Sequence, residues 1–526
     1  MYDATKEESG SASVNAVDGN NGVYSFPSGR KQLPGLSIAL VDGVGSRVVT
    51  EEMKKESDVL GKKRRELIKN GMKFAWSAYK SFAWGRDELL PLSRSGKDNW
   101  GGVGMTLVDS LDTLWIMGMK VEFEEARNWV AKSLTFGNAG AVSVFETTIR
   151  ELGGLLSAYE LSGDAVFLDK ARVLGDLLLP AFNTPSGIAR GMVNLRTGEG
   201  QGGWAGGSAI LSELGTLQVE FRNLAKHTQN PVYEAKAMRA IQLMHERSPE
   251  NGLYPIKVSL QDGSFTDSQI TFGALGDSFY EYLLKTWLQG GRKETWLREM
   301  YDKAMDGVMD YLLLASDPSG LAFLGDYNGR STTRKMDHLV CFMPGALALG
   351  AYTDPNGLSS TRAKRDLAVA KALMYTCHEM YHRMNSGISP EYVEFPFGAK
   401  DFIVGQTAPF YILRPETAES LFILNQLTGD PIYREWAWEI WESIEKHCKT
   451  EIAYGALRDV SHPDHGVDDR MESFFLAETI KYLYLAQDPD KPIDLMEFVF
   501  NTEAHPTHVF KDLDGHIPVP SNARHL

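Results

Sequence analysis

The sequence predicts an all-α fold in which helical hairpins close into an α/α toroid. Three observations carry this reading. Apolar residues recur at helical spacing through most of the chain beyond residue 60. Most of these segments run into a Gly, Pro or Asp turn and then a second helix. The β-prone pieces, such as Tyr392-Val393-Glu394-Phe395, are short enough to be loop hairpins rather than a central sheet.

Taken in order, residues 1–60 are rich in Gly, Ser, Asn and Asp and read as a flexible or irregular extension. Residues 61–510 read as one catalytic domain and 511–526 as a tail. In VFETTIRELGGLLSAYELSGD, Phe145, Ile149, Leu152, Leu156 and Tyr159 form one apolar stripe, and Ser162-Gly163-Asp164 stops the helix. Similar helices are legible around 107–118, 209–226, 233–247, 277–288, 295–314, 363–384, 416–427, 432–447 and 471–486. No strict repeat appears, which argues against an ordinary solenoid and for a closed ring.

Composition narrows the partners. The chain has 526 residues, is 43% hydrophobic and carries a net charge of −15. A substantial core is therefore available, and a nucleic-acid partner is excluded for want of a basic surface. No apolar run is long enough to span a bilayer. The amino terminus lacks the basic-then-apolar pattern of a signal peptide, so the chain reads as unanchored or as lacking an upstream targeting segment. Three cysteines are too few for a disulfide-built fold; Cys341 and Cys377 can pair in an oxidising compartment, leaving Cys448 free.

The informative residues are acids inside apolar helical segments. Glu146 has Arg150 one turn later, which on its face is an i,i+4 surface pair of a few tenths of a kcal/mol (~0.3). Asp277 follows Gly273 and Gly276; Ser278 and Glu281 have capping-box spacing, so the helix is expected to start at Ser278 with Asp277 just outside. Glu416 follows Pro415, a residue favoured at the first helical position, and joins Arg414 and Glu419 in a dense charge cluster. Glu220 and Glu478 are bracketed by apolar residues, where an unpaired carboxylate is costly. A helical hairpin with its loops takes about 60–70 residues, so each of these acids falls on a different hairpin. In a toroid, corresponding hairpin ends meet at one central cavity, and converging acids mean shifted pKa values, a metal, or both.

The strings SVFETTIRELGGLLSAYELSGD, TFGALGDSFYEYLLK, DHLVCFMPGALALG, YILRPETAESLF, SFFLAETIKYLYL and VFNTEAHP resemble the class I α-1,2-mannosidases, glycoside hydrolase family 47, over roughly residues 70–508. The resemblance implies an (α/α)7 barrel plugged at one end by a hairpin, with one Ca²⁺ at its base. It implies inverting hydrolysis of terminal α-1,2-linked mannose on high-mannose N-glycans, by a monomer in the lumen of the Golgi or endoplasmic reticulum. Carried over, Glu146 matches the general acid, and Asp277 and Glu416 match two further catalytic carboxylates whose division of labour stays open. Thr502 matches the residue giving two oxygens to Ca²⁺. Arg150, Glu220, His338, Arg414, Pro415, Glu419, Phe474, Glu478 and Glu503 match the sugar pocket and the metal's water shell. Leu275 stands where endoplasmic-reticulum members carry Arg, as in the Golgi subgroup. Cys341 and Cys377 occupy the family's disulfide positions. An inverting hydrolase needs its two carboxyls about 6.5–9.5 Å apart, a gap that opposite walls of a barrel supply. A glycan-binding factor of low turnover with the same barrel is the alternative. The cluster His462, Asp464, His465 and Asp468 lies in a turn-rich loop and is weak as a metal site.

Overall fold

The computed structural model describes residues 48–203 and 205–511, together with a short antiparallel pairing of Val23–Tyr24 with Ile38–Ala39. All but the first residue of the expected tail at 511–526, and most of the expected extension, lie outside the described residues. One boundary needs correcting. A helix, α1, runs Glu51–Phe82, so regular structure begins inside the stretch expected to be irregular. Thr50 caps it by accepting the Met53 N–H at 3.2 Å, a local signal outweighed in the sequence by the polar composition around it.

Short turns aside, fourteen helices among the described residues alternate between an inner and an outer ring. The inner helices are α2 (Leu111–Ile116), α4 (Gly153–Ser162), α6 (Gln218–Thr228), α8 (Asp277–Gln289), α10 (Met343–Tyr352), α12 (Glu416–Thr428) and α14 (Ile480–Gln487). The first six are each succeeded by an outer partner packed against them: α3 (Lys120–Lys132), α5 (Ala165–Leu178), α7 (Pro231–Glu246), α9 (Thr295–Gly307), α11 (Thr361–His382) and α13 (Pro431–His447). The outer partner of α14 is α1, from the other end of the chain. Inner helices touch their neighbours all round, and the turn Phe475–Thr479 leading into α14 packs on α2, which shuts the ring. This is the expected (α/α)7 barrel.

Local chemistry explains the alternation. Turns from inner to outer helix are short, and their polar residues cap the outer helix: Asp164 caps α5, Asn230 precedes Pro231 at α7, and Asp430 precedes Pro431 at α13. No inner helix has a side-chain cap at its start. Connections from outer to inner helices are longer and hold the small sheets, including the three-stranded one through Tyr392–Glu394.

A hairpin of β1 (Phe498–Phe500) and β2 (Pro506–His508) plugs the barrel. Its base is tied to the C-terminal ends of inner helices: the His508 N–H donates to Glu160 and the Phe510 N–H to the Gln289 carbonyl, each at 2.7 Å. The tip reaches inward, where the Asn501 amide donates to the Ile149 carbonyl (2.9 Å) and to Glu220 (2.8 Å). Glycine permits this entry, since a Cβ on Gly153 would lie 2.7 Å from Asn501 Nδ2 and 2.9 Å from His505. His505 sits between Asp109 (3.0 Å) and Asp112 (2.8 Å), with Lys481 on Asp112 at 2.8 Å, all fully buried. Burial pushes the Asp112 carboxyl up, but Lys481 and His505 outweigh it and hold it at about 2. Each charge here is paired, which is what lets the barrel bury them.

Cys341, in the turn His338–Phe342, is disulfide-bonded to Cys377 of α11, 36 positions on. Cys448 is buried and free, and burial pushes its thiol up.

Candidate active site

The plug closes one end of the barrel, and inner-helix starts line a cavity of about 340 Å³ above it. Glu146, Arg150, Leu275, Asp277, Arg414, Pro415, Glu416, Glu419, Phe474, Glu478, Thr502 and Glu503 all line it. The axial convergence inferred from the spacing of the acids is present for Glu146, Asp277, Glu416 and Glu478. Glu220 and His338 are brought close but do not line the cavity. Glu220 lies behind the plug, accepting hydrogen bonds from Tyr282 (2.6 Å) and Asn501. His338 lies behind Glu416.

Glu146 comes from a single turn whose Ser143 cap accepts the Glu146 N–H at 3.2 Å. Arg150 does pair with it (Nε to Oε2, 2.8 Å), as the plain i,i+4 reading expects. That guanidinium is buried, however, and also donates to Glu503 at 2.7 Å, so it joins wall to floor rather than facing solvent. Phe474 packs its ring under Arg150, 5.4 Å from centroid to guanidinium.

Asp277 is the first residue of α8, and the expected capping box does not form. Ser278 is engaged with Thr216 (2.8 Å), while Glu281 takes Lys285 and Thr502, so tertiary partners displace the local motif. Asp277 accepts the Ser278 N–H at 2.8 Å. Burial pushes its carboxyl up to about 8, with the charges of Glu281 and Glu416 adding to the rise.

Glu416 is the first residue of α12, and Pro415 sits one position earlier, as its N-cap. Its Oε2 lies 2.7 Å from His338 Nδ1, and Arg414 is 3.8 Å from Oε1. Burial pushes this carboxyl up too, but His338 and Arg414 prevail and it stays below the ordinary range. Arg414 is itself clamped by Glu391 at 2.8–2.9 Å. The two neighbouring acids are thus driven in opposite directions by their partners.

Backbone strain surrounds the site. Leu275 (φ 83°), Leu413 (φ 68°) and Ala504 (φ 58°) occupy the left-handed region just before Asp277, just before Arg414 and just after Glu503.

At the floor, the Thr502 hydroxyl donates to Glu281 at 2.9 Å, and Lys285 bridges Glu281 and Glu419 (3.2 Å to the latter). Burial pushes Glu419 up to about 7 and Glu478 and Glu503 well above the carboxylate range. Eight carboxyls but only two guanidiniums line the cavity, and Glu220 Oε2 behind it has no hydrogen-bond partner. An all-oxygen donor set whose carboxyls are driven upward by burial and by one another's charge fits a hard cation.

The sequence reading missed Glu213, Glu281, Phe145 and Phe342 as lining residues, and Tyr381 and Glu391 behind the wall. Glu281 left a signal, standing one turn after Asp277 and one before Lys285 on α8, but its spacing from Ser278 fits a cap equally well. Glu213, pushed up to about 7 by burial and then by Glu146's charge, left none. The loop cluster is scattered: His462 and His465 face Asp459 at 3.1 and 3.7 Å, while Asp468 pairs with Arg458.

A blind, acid-rich pocket on the axis of a helical barrel, floored by a hairpin tip, has the paired carboxyls that a glycosidase needs. The profile of glycosyl hydrolase family 47 matches residues 71–509. Over 480 residues the chain is 44% identical to a mannosyl-oligosaccharide 1,2-alpha-mannosidase of Arabidopsis thaliana, covering 90% of this chain and 84% of that protein. It is 45% identical over 447 residues to the endoplasmic reticulum mannosyl-oligosaccharide 1,2-alpha-mannosidase of Homo sapiens, covering 83% of this chain and 62% of that one. The alpha-1,2-mannosidase structure from Trichoderma reesei superposes with a TM-score of 0.79 at 32% identity, covering 85% and 99% of the two chains. The chain belongs to glycosyl hydrolase family 47.

Proposed function

We propose that this chain removes terminal α-1,2-linked mannose from high-mannose N-glycans with inversion, and that a Ca²⁺ held by Thr502 assists it. The observation that carries the reading is the opposed environment of Asp277 and Glu416, in a pocket whose third catalytic candidate, Glu146, comes from another hairpin. Glu146 delivers a proton to the leaving glycosidic oxygen. Glu416, kept ionised by His338 and Arg414, takes the proton from the attacking water. Asp277, pushed up to about 8, is protonated at neutral pH and donates a hydrogen bond from its carboxyl. Phe474 and Phe342 give the sugar ring apolar surface, and Arg414, whose Nε and Nη2 are held by Glu391, offers Nη1 as a donor.

Thr502 offers its hydroxyl and carbonyl at the floor, and Glu220, Glu419, Glu478 and Glu503 stand round it. Thr502 and these acids are the residues that would hold the ion. When bound, a Ca²⁺ would supply positive charge and Lewis-acid contacts for sugar hydroxyls.

The Cys341–Cys377 bond suits an oxidising lumen, and one relative is named for the endoplasmic reticulum. No helix of the described residues is long and apolar enough to cross a membrane. We place the protein in the secretory pathway, acting as a monomer on glycoprotein glycans.

Incubation with a high-mannose N-glycan, with and without chelator, tests the reading. Mannose release that chelation stops, with the product's anomeric configuration inverted by NMR, is expected. No release in Ca²⁺ would leave a glycan-binding factor, and release indifferent to chelator would remove the metal.

A further inference from the structure

On the outer wall, away from the sugar cavity, two histidines and a carboxylate converge. His378 and His382 stand one turn apart on α11 (Thr361–His382), and Glu439 faces them from α13 (Pro431–His447). One ligand atom from each lies within 4.8 Å of the others. His378 Nε2 is 2.9 Å from Glu439 Oε2, and His382 Nδ1 is 3.9 Å from the same oxygen. A tetrahedral Zn²⁺ with bonds of about 2.0–2.2 Å separates its ligand atoms by roughly 3.4 Å. The two observed spacings straddle that figure, so rotation of exposed side chains completes the geometry.

The site has the support that a ligand histidine needs. His378 is buried and stacked on the Trp436 face at 4.2 Å and 15°, which fixes its ring plane. The His382 ring lies 5.2 Å away at 26°. His378 Nδ1 is buried without a hydrogen-bond partner, yet Glu379 stands 3.8 Å from it. A small shift makes Glu379 the acceptor that orients a metal-bound imidazole. His382 and Glu439 stay exposed, so an ion has a way in and can keep water in its fourth position. Glu442 and Lys446, one of each sign, line the same shallow pocket and leave its charge unaltered.

We propose that His378, His382 and Glu439 form a second metal site, selective for Zn²⁺-class transition dications over Ca²⁺, which staples the outer helices α11 and α13 together. Two imidazoles and one carboxylate make a borderline-soft donor set, unlike the all-oxygen floor of the sugar cavity.

The test keeps Ca²⁺ in excess, so that the barrel floor is unperturbed, and adds Co²⁺ as a visible probe to the full chain. Co²⁺ is expected to give d–d bands that saturate at one equivalent and disappear when Zn²⁺ is added. Zn²⁺, but not Mg²⁺, is expected to raise Tm by a few degrees through mass action. His382→Ala, at an exposed position, should keep the fold and lose both signals, and Glu439→Gln should weaken them at least tenfold. Absence of bands and of a Zn²⁺-dependent Tm shift in the wild type would overturn the site. So would bands and shift that survive His382→Ala.

Discussion

His338 Nδ1 and Glu416 Oε2 are 2.7 Å apart, while His338 Nε2 is held between the Tyr381 hydroxyl (2.7 Å) and the Thr417 hydroxyl (3.2 Å). An ionised carboxylate can only accept, so Nδ1 presents a proton to Glu416. The imidazole thus holds one proton aimed at Glu416 and keeps that carboxylate ionised.

Replacing His338 removes this support without touching the substrate. Glu416 then rises toward the usual range or above it. On the proposed assignment of Glu416 as the ionised base, the acid limb of kcat/KM should move to higher pH in His338→Ala. A loss in kcat of about 10²-fold, at the low end for a base's contribution, is expected at pH 5 and less at pH 8. A pH–rate profile beside wild type checks it. An unmoved acid limb would remove His338's role.

Glu146→Gln keeps shape and the Arg150 contact but has no proton to deliver. Turnover should fall about 10²–10⁴-fold, with circular dichroism and Tm nearly unchanged, because Arg150 still bonds Glu503 and Ser473. Cooperative loss of structure would return the residue to a structural ion pair.

Asp277→Asn keeps a hydrogen-bond donor at this position and should stabilise the enzyme. With the folded carboxyl at about 8 and the unfolded one near 3.8, the folded state holds a proton that the unfolded state releases. For an acid raised in this way, stability falls as pH climbs from about 4 to 8. The Asn variant escapes that loss, so at pH 7 it should be more stable than wild type by at most ~4 kcal/mol. Its Tm should be higher there and match wild type near pH 4. Equal Tm values at both pH values would contradict the raised carboxyl.

The Cys341–Cys377 bond closes a loop of 36 positions directly beside His338. Cys341→Ser with Cys377→Ser should cost about 2–4 kcal/mol, read by denaturant unfolding. Activity at low temperature should be retained, since neither sulfur lines the cavity.

The parts legible in the sequence are those written in local periodicity and helix boundaries. Glu146, Asp277 and Glu416 stand at or near inner-helix starts, where apolar spacing and punctuation by Gly and Pro mark the chain. Glu213 and Tyr381 were invisible because their roles depend on which helices become neighbours, a tertiary fact. Glu281 shows the intermediate case: its spacing from Ser278 matches a cap, but Thr502, far along the chain, supplies a better donor. Position alone likewise could not separate Asp277 from Glu416; His338 does so from behind the wall.

Ring closure by α1 against α14 sets an order of events during synthesis. The ribosome emits α1 first and its partner nearly last, and the tip bearing Thr502 comes after that partner. Until then the first helix has an apolar flank with nothing to cover it and the pocket has no floor. A nascent chain therefore cannot act on its neighbours' sugars before the plug is made, and a nonsense codon anywhere upstream of Thr502 removes the whole activity rather than a fraction of it.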